Sequence, residues 1–207
     1  MTDQVDIIGD KVLYSGRLLD IASRTLRVEK NGEVTEYSIE VARRPPGVRL
    51  IVNRGTKYLL LREFRSELAG WDYRLAGGKV FESQAEHLAF KSSGKDLSER
   101  LLRAVSAEAK EELGILVKTA TLLRKSSAGA TIDWDLYFFR VDTFDELKSG
   151  PQPEQTELLT VEWHDPLSVL RLIENGSFSE DRSIGVLMQE MLARGELSAA
   201  STRNAPK

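Results

Sequence analysis

A short acidic run near the middle of the chain has the residue types and spacing of a metal site. Glu108, Glu111 and Glu112 fall close together and Gly114 follows them. On a helix, residues three and four apart share one face, so the three carboxylates project together. Their mutual repulsion destabilises the helix, and a cation would relieve it. Mg²⁺ prefers carboxylates together with substrate phosphates. The run predicts a metal-dependent enzyme acting on a phosphate compound, and a solvated acidic helix face is the structural alternative.

The acidic run needs a helix to position it, and the flanking sequence predicts one over residues 99–113. Glu108 and Glu112 lie at the edge of an apolar stripe, so we expect them to be partly buried. Gly114 suits the left-handed position that ends many helices. The stripe consists of Leu101, Leu102, Val105, Ala109 and Leu113.

Strands are predicted on both sides of this helix. Residues 11–43 have the composition of antiparallel strands, and Asn31-Gly32 is typical of a tight hairpin turn. The Pro45-Pro46-Gly47 segment breaks the pattern and marks a boundary. Later strands are predicted at 48–52, 58–62, 115–123, 134–141 and 158–163, and closing helices at 166–174 and 181–193. The order of elements indicates an α+β or layered α/β/α fold with a mixed sheet.

The composition excludes several classes of function. The chain has 207 residues, a formal net charge of −3 and no cysteine. We therefore expect no nucleic-acid partner, no disulfide and no thiolate metal site. An apolar run of membrane-spanning length and a signal peptide are both missing from the sequence, so we expect no membrane association and a cytoplasmic location. His87 and His164 are too few for a typical zinc site.

A glycine-containing segment upstream of the acidic run is a second motif to be considered with it. Arg74-Leu75-Ala76-Gly77-Gly78-Lys79 follows a short aromatic strand, and its paired glycines let the backbone approach a ligand closely. The two segments together resemble the signature of the Nudix hydrolase family. Gly78 best matches the first glycine of that signature. Its second half is matched by Glu99, Glu108, Glu111, Glu112, Gly114 and Ile115.

The chain departs from this signature in two places. The spacing between Gly78 and Glu99 is too long, so residues 79–98 look like an insertion. Ala107 stands where the family has an arginine that supports the catalytic carboxylates. Lys110 and Arg103 are basic residues nearby that could replace it.

Segments outside the signature resemble the ADP-ribose pyrophosphatase branch of the family. The strand residues 59–65 look like the strand that carries a substrate-binding arginine there, and 74–79 looks like a variant of that branch's glycine segment. The resemblance implies a Nudix fold, an α/β/α sandwich with a mixed sheet plus an N-terminal antiparallel β element. It divides the chain into a dimerising element (1–45), a hydrolase domain (46–197) with the 79–98 insertion, and a flexible tail (198–207), and implies a homodimer.

The resemblance also implies the metal ligands. Glu108 and Glu112 would bind Mg²⁺, or Mn²⁺ as an alternative, together with the carbonyl oxygen of Gly77. Glu99 would be a peripheral acid near the metals. Glu111 would be a further ligand or the hydrogen-bond partner of a metal-bound water.

Other implied roles fall on residues outside the helix. The family branch often places an additional catalytic glutamate on the loop before the last strand, where Glu154 and Glu157 are available. Solvation of that loop is the alternative for both. Arg65 would bind a substrate phosphate through its planar guanidinium, and pairing with Glu63 or Glu67 is its structural alternative.

The implied activity is metal-dependent hydrolysis of a nucleoside diphosphate linked to another moiety, of the ADP-ribose or nucleotide-sugar type, to two monophosphates. The first alternative is a non-catalytic Nudix-fold module that binds or senses such a nucleotide, which the missing arginine favours. The second is an enzyme that cleaves nucleoside triphosphates, for which the N-terminal strand element would be superfluous.

Overall fold

The computed structural model describes residues 3–153 and 155–197. Within these ranges the chain forms nine strands and four helices. The strands are β1 (Gln4–Ser15), β2 (Asp20–Lys30), β3 (Glu33–Arg43), β4 (Gly47–Arg54), β5 (Lys57–Arg65), β6 (Gly70–Arg74), β7 (Ile115–Gly129), β8 (Ile132–Glu146) and β9 (Leu159–His164). The helices are α1 (Gln84–Ser92), α2 (Ser98–Leu113), α3 (Pro166–Glu174) and α4 (Asp181–Ala193). Glu154 and the predicted tail at 198–207 lie outside the described residues.

The chain divides into two compact units. The first consists of Met1–Gly47, Lys79–Leu97 and Ser127–Leu136, and the second of Val48–Gly78, Ser98–Ser126 and Tyr137–Lys207. The segment predicted as an insertion in the hydrolase domain therefore groups with the N-terminal strands. Backbone hydrogen bonds give the reason: the Val80 amide donates to the Pro46 carbonyl at 3.1 Å and the Gln84 amide to the Arg17 carbonyl at 2.8 Å.

The first unit is built on an antiparallel sheet of β1, β2 and β3. Strand β2 pairs along its length with both neighbours, and the β2–β3 hairpin closes between Lys30 and Glu33. Asn31 and Gly32 occupy this turn with φ of 54° and 82°. Both angles are those of a type I′ turn, so the hairpin predicted from the Asn-Gly pair is confirmed. The end of β3 pairs in parallel with the start of β8.

The second unit has a sheet in which β5 pairs antiparallel with β4, β6 and β9. Strand β8 lies next to β4 and β7. The core of the second unit contains large apolar side chains from both strands and helices. Strands β4 and β5 contribute to it because both are nearly continuous apolar runs. The largest fully buried side chains include Leu50, Ile51, Leu60, Leu61, Phe138, Leu187 and Met191.

Helix α2 carries the acidic run and forms where the apolar spacing predicts it. Leu101, Val105, Ala109 and Leu113 are buried, whereas Leu102, predicted to share their stripe, is 46% exposed. Leu102 lies about 100° around the helix from Leu101, which carries it past the edge of the buried face. The helix ends at Gly114 with φ of 65°, which confirms the predicted cap.

The loop after β8 is fixed against the end of α2. The Gln152 amide donates to the carbonyl of Glu111 at 2.8 Å, and the Leu147 amide donates to the carbonyl of Gly114. A Cβ on Gly114 would lie 2.4 Å from the Gly150 carbonyl carbon, so a side chain there would displace the loop. In the part of the chain that is described, no helix is both long and apolar enough to cross a membrane.

Candidate active site

Glu112 is the buried carboxylate of the acidic run. It is 7% exposed and its Oε2 accepts a hydrogen bond from the Gly77 amide at 2.7 Å. Burial raises the pKa of Glu112 to about 8, and the nearby charges of Glu108 and Glu157 act in the same direction. The Gly77 hydrogen bond and the charge of Arg49 lower that pKa and oppose the rise only in part. A further cation close to Glu112 would therefore favour its ionised form.

The paired glycines bring the backbone against the carboxylate helix. A Cβ on Gly78 would lie 2.1 Å from Oε1 of Glu108, so only glycine lets this carboxylate rest on the loop. Gly77 has φ of 146°, and a Cβ there would lie 2.1 Å from the carbonyl oxygen of Val48. Close backbone approach was expected from the Gly-Gly pair, and the structure shows that the approaching group is the carboxylate helix and strand β4.

Strand β4 holds the glycine loop in place. The Leu50 amide donates to the Ala76 carbonyl at 2.8 Å and the Val48 amide donates to the Gly78 carbonyl at 2.9 Å. The loop therefore forms one β-bridge with strand β4 on each side of Gly77. Fixed between β4 and α2, Gly77 presents its amide to Glu112 in a defined position.

The other predicted acids differ in their placement. Glu111 is half-buried on α2 and Glu157 is half-buried after the loop, where its charge acts on Glu112. Glu99 is 76% exposed and its Oε1 lies 2.5 Å from Arg103, one turn along the helix. Thirteen residues separate Glu99 from Glu112, which is about three and a half turns of helix. The charges of Glu108 and Glu157 thus act on Glu112, whereas Glu99 lies on an exposed face.

Arg65 lies at the end of β5 in ion pairs with two glutamates. Its guanidinium is 2.9 Å from Glu63 and 2.7 Å from Glu67. Pairing with Glu63 or Glu67 is the alternative to phosphate binding that the sequence left open for Arg65. A phosphate would have to compete with both carboxylates for this side chain.

Arg49 lies in the site although no motif in the sequence includes it. Its Nη1 donates to the carbonyl oxygens of Val48 and Gly77, both at 3.1 Å, and its Nε donates to Glu180 at 3.2 Å. A signal was present in the sequence, because Arg49 interrupts the apolar run of Val48 and residues 50–52. A charged residue in a buried strand is unusual unless it is paired.

The donor set fits a hard divalent cation in type. Mg²⁺ prefers carboxylate and carbonyl oxygens, which Glu108, Glu112 and Gly77 provide. The Gly77 carbonyl accepts from Arg49 and retains one lone pair for a second partner. Among residues 3–153 and 155–197, no group of three His, Asp or Glu side chains is close enough to hold a metal ion as it stands. The metal ligands therefore stay a prediction.

Comparisons with known proteins bear on the fold. No protein-family model and no curated protein sequence matches the chain. A solved structure described as the crystal structure of an ADP compounds hydrolase superposes with a TM-score of 0.65, covering 94% of this chain and 97% of that one. The two sequences are 18% identical. The chain therefore has the fold of that hydrolase, and the predicted mixed sheet with a few helices is confirmed.

Proposed function

We propose that this protein hydrolyses the diphosphate of an ADP-like nucleotide linked to a second moiety, such as ADP-ribose or a nucleotide sugar, to two monophosphates. The observation that carries the proposal is the carboxylate cluster: Glu112 is buried, held by the Gly77 amide, and subject to the charges of Glu108 and Glu157. The cluster lies in a fold shared with a protein described as an ADP compounds hydrolase. Glu108 and Glu112 also match the helical half of the Nudix signature.

Each acidic residue receives a role in this proposal. Glu108 and Glu112, with the Gly77 carbonyl, would hold Mg²⁺ or Mn²⁺, which when bound offsets charge on the phosphoryl oxygens and lowers the pKa of a coordinated water. A glutamate accepts the proton of the attacking water as its oxygen bonds to phosphorus and the bridging P–O bond breaks. Glu157 is favoured as this base over Glu111 because its charge acts on Glu112 although it lies outside α2. Glu154 remains a second loop candidate.

Two predicted residues have smaller roles. Glu99 is at most a peripheral acid, because it pairs with Arg103 on the exposed side of α2. Arg65 would bind a substrate phosphate in place of its ion pairs with Glu63 and Glu67. Half-exposed ion pairs contribute about 0–1 kcal/mol, so a diphosphate, which carries one negative charge on each phosphate, competes well against them.

The decisive experiment is a hydrolysis panel with Mg²⁺ and with Mn²⁺. ADP-ribose, a nucleotide sugar, a nucleoside diphosphate and a nucleoside triphosphate are each incubated with the wild type, with Glu112→Gln and with Glu146→Gln. Glu146 is an exposed glutamate paired with Arg54 and serves as the matched control. We expect turnover of a linked diphosphate that is lost in Glu112→Gln and kept in Glu146→Gln. Unchanged turnover in Glu112→Gln would refute the assigned metal site.

The non-catalytic nucleotide-binding module remains the second candidate. Ala107 is exposed and supplies no cation beside the carboxylates. Binding of ADP-ribose without hydrolysis of any diphosphate, under both metals, would establish this candidate and refute the enzyme.

We also propose that the first unit forms a homodimer. All residues of β1 are exposed, and the apolar ones include Ile7 at 61% and Val5, Val12, Leu13 and Tyr14. An apolar strand at the edge of a sheet is a surface that proteins normally cover, and a second copy of the same strand is the simplest cover. Sedimentation over a range of protein concentrations tests this, and a monomer at every concentration would contradict it.

A further inference from the structure

Arg49 connects three groups that would otherwise be independent. Its guanidinium binds the carbonyl oxygen of Gly77 and the carboxylate of Glu180, and the amide of the same Gly77 donates to Glu112. A chain of hydrogen bonds thus runs from Glu180 through Arg49 and Gly77 to the buried carboxylate. The planar fork of arginine makes this possible, since it donates in fixed directions to several oxygens at once.

Glu180 fixes the far end of this chain. It precedes α4 and accepts a hydrogen bond from the Ser183 hydroxyl at 2.6 Å. Burial opposes its ionisation, but the charge of Arg49 and the Ser183 hydrogen bond hold the pKa of Glu180 below its ordinary value. Glu180 is therefore ionised at neutral pH. A charge pair this well satisfied restricts the guanidinium to one position.

The basic residues on α2 do not provide an equivalent support. Ala107 and Lys110 are exposed, and Arg103 pairs with Glu99 on an exposed face of the helix. Arg49 instead acts from strand β4, and its charge lowers the pKa of Glu112.

We propose that Arg49 is a positioning residue for the proposed hydrolysis, supplying from β4 the cationic support that α2 lacks at Ala107. It acts through Gly77: it holds the carbonyl of this residue, which is joined through the Gly77 Cα to the amide that orients Glu112. This inference rests on the proposed function for its catalytic consequence. Its structural consequence, the fixed position of Gly77, does not depend on any turnover.

The test compares Arg49→Met with Arg54→Met, an exposed arginine on the same strand. Hydrogen exchange of the Gly77 amide, followed by NMR in the metal-free protein, reports the Gly77–Glu112 bond directly. We expect Arg49→Met to lower protection of this amide by about tenfold or more, since charge-assisted hydrogen bonds are lost, and Arg54→Met to leave it unchanged. Glu180→Gln should lower protection by an intermediate factor, and adding it to Arg49→Met should have no further effect.

Mn²⁺ binding and kinetics separate a positioning role from a general structural one. Loss of an outer-shell support typically weakens metal binding or activity about tenfold or more, and we expect this for Mn²⁺ affinity in Arg49→Met. On any diphosphate that the wild type hydrolyses, kcat should fall by a larger factor than the factor by which KM changes. If Arg49→Met does not fold, Arg49→Lys takes its place, because it keeps the charge but lacks the planar guanidinium. It should show smaller losses of Gly77 protection, Mn²⁺ affinity and kcat.

Two results would overturn the proposal. Unchanged Gly77 protection in a folded Arg49→Met protein would show that the arginine does not fix the loop. Tighter Mn²⁺ binding in that variant would show that Arg49 competes with the cation. Failure of the proposed function gives a different pattern, namely no turnover in the wild type together with the expected loss of Gly77 protection in Arg49→Met.

Discussion

Glu112→Gln should make the metal-free protein more stable at alkaline pH. The pKa of Glu112 is raised from 4.5 to about 8 in the folded protein, chiefly by burial. Between these values the folded state holds a proton that the unfolded state releases. The contribution of Glu112 to the free energy of unfolding is therefore fully present below pH 4.5 and is lost as the pH rises toward 8. Glutamine is neutral at every pH and does not show this loss.

The size of the effect follows from the shift. Going from 4.5 to about 8 is a shift of about 3.5 units, and each unit corresponds to about 1.36 kcal/mol. The loss is then on the order of 5 kcal/mol. At about pH 5 the two proteins should differ by less than about 1 kcal/mol, since glutamine can still accept from the Gly77 amide.

Urea denaturation in the presence of EDTA measures this difference at about pH 5, 7 and 8.5. Glu146→Gln is the control, because an exposed carboxylate should show no such pH dependence. Adding Mn²⁺ should raise the stability of the wild type more than that of Glu112→Gln, since the proposed ligand is ionised only in the former. A Glu112→Gln protein that follows the wild type across the whole pH range would refute the reasoning, as would one that loses stability at high pH.

Three further predictions address separate parts of the molecule. Asp72→Ala should lower the free energy of unfolding by about 3 kcal/mol in urea denaturation, because a buried carboxylate that binds Ser179 and Arg74 is lost; a change under about 1 kcal/mol would contradict this. Gly78→Ala should displace Glu108 and weaken Mn²⁺ binding, whereas stability falls little, since the displaced group is the end of a flexible side chain; unchanged Mn²⁺ affinity would remove Glu108 from the site. Ile7→Lys should shift the sedimentation profile toward monomer at equal concentration without changing the fold seen by circular dichroism.

Local signals in the sequence predicted the parts of the fold that depend on neighbouring residues. The apolar spacing of α2 and the glycine that ends it determine one helix and its boundary, and both are confirmed. The Asn31-Gly32 turn is likewise a property of two adjacent residues with positive φ. In the site, the clustering of Glu108 and Glu112 follows from helical spacing, so the sequence could predict it.

Contacts between distant segments could not be predicted in the same way. Residues 79–97 group with the N-terminal strands through backbone hydrogen bonds to Pro46 and Arg17, which no side-chain pattern encodes. The support of Glu112 by Arg49 depends on the pairing of β4 with the glycine loop. Glu99 stays a prediction: its spacing matches a signature, and its side chain pairs with Arg103 in an exposed position.

The carboxylate cluster links binding to folding stability. Burial of Glu112 beside Glu108 and Glu157 disfavours its ionised form, and the Gly77 amide and Arg49 offset only part of that cost. A divalent cation at these carboxylates would offset the remainder, and a ligand that binds only the folded state stabilises it by mass action. A site built to take a cation is thus expected to be the least stable part of the second unit when the cation is removed. The proposed role of Arg49 follows from the same physics, because a fixed positive charge on the scaffold keeps the glycine loop in place before any metal arrives.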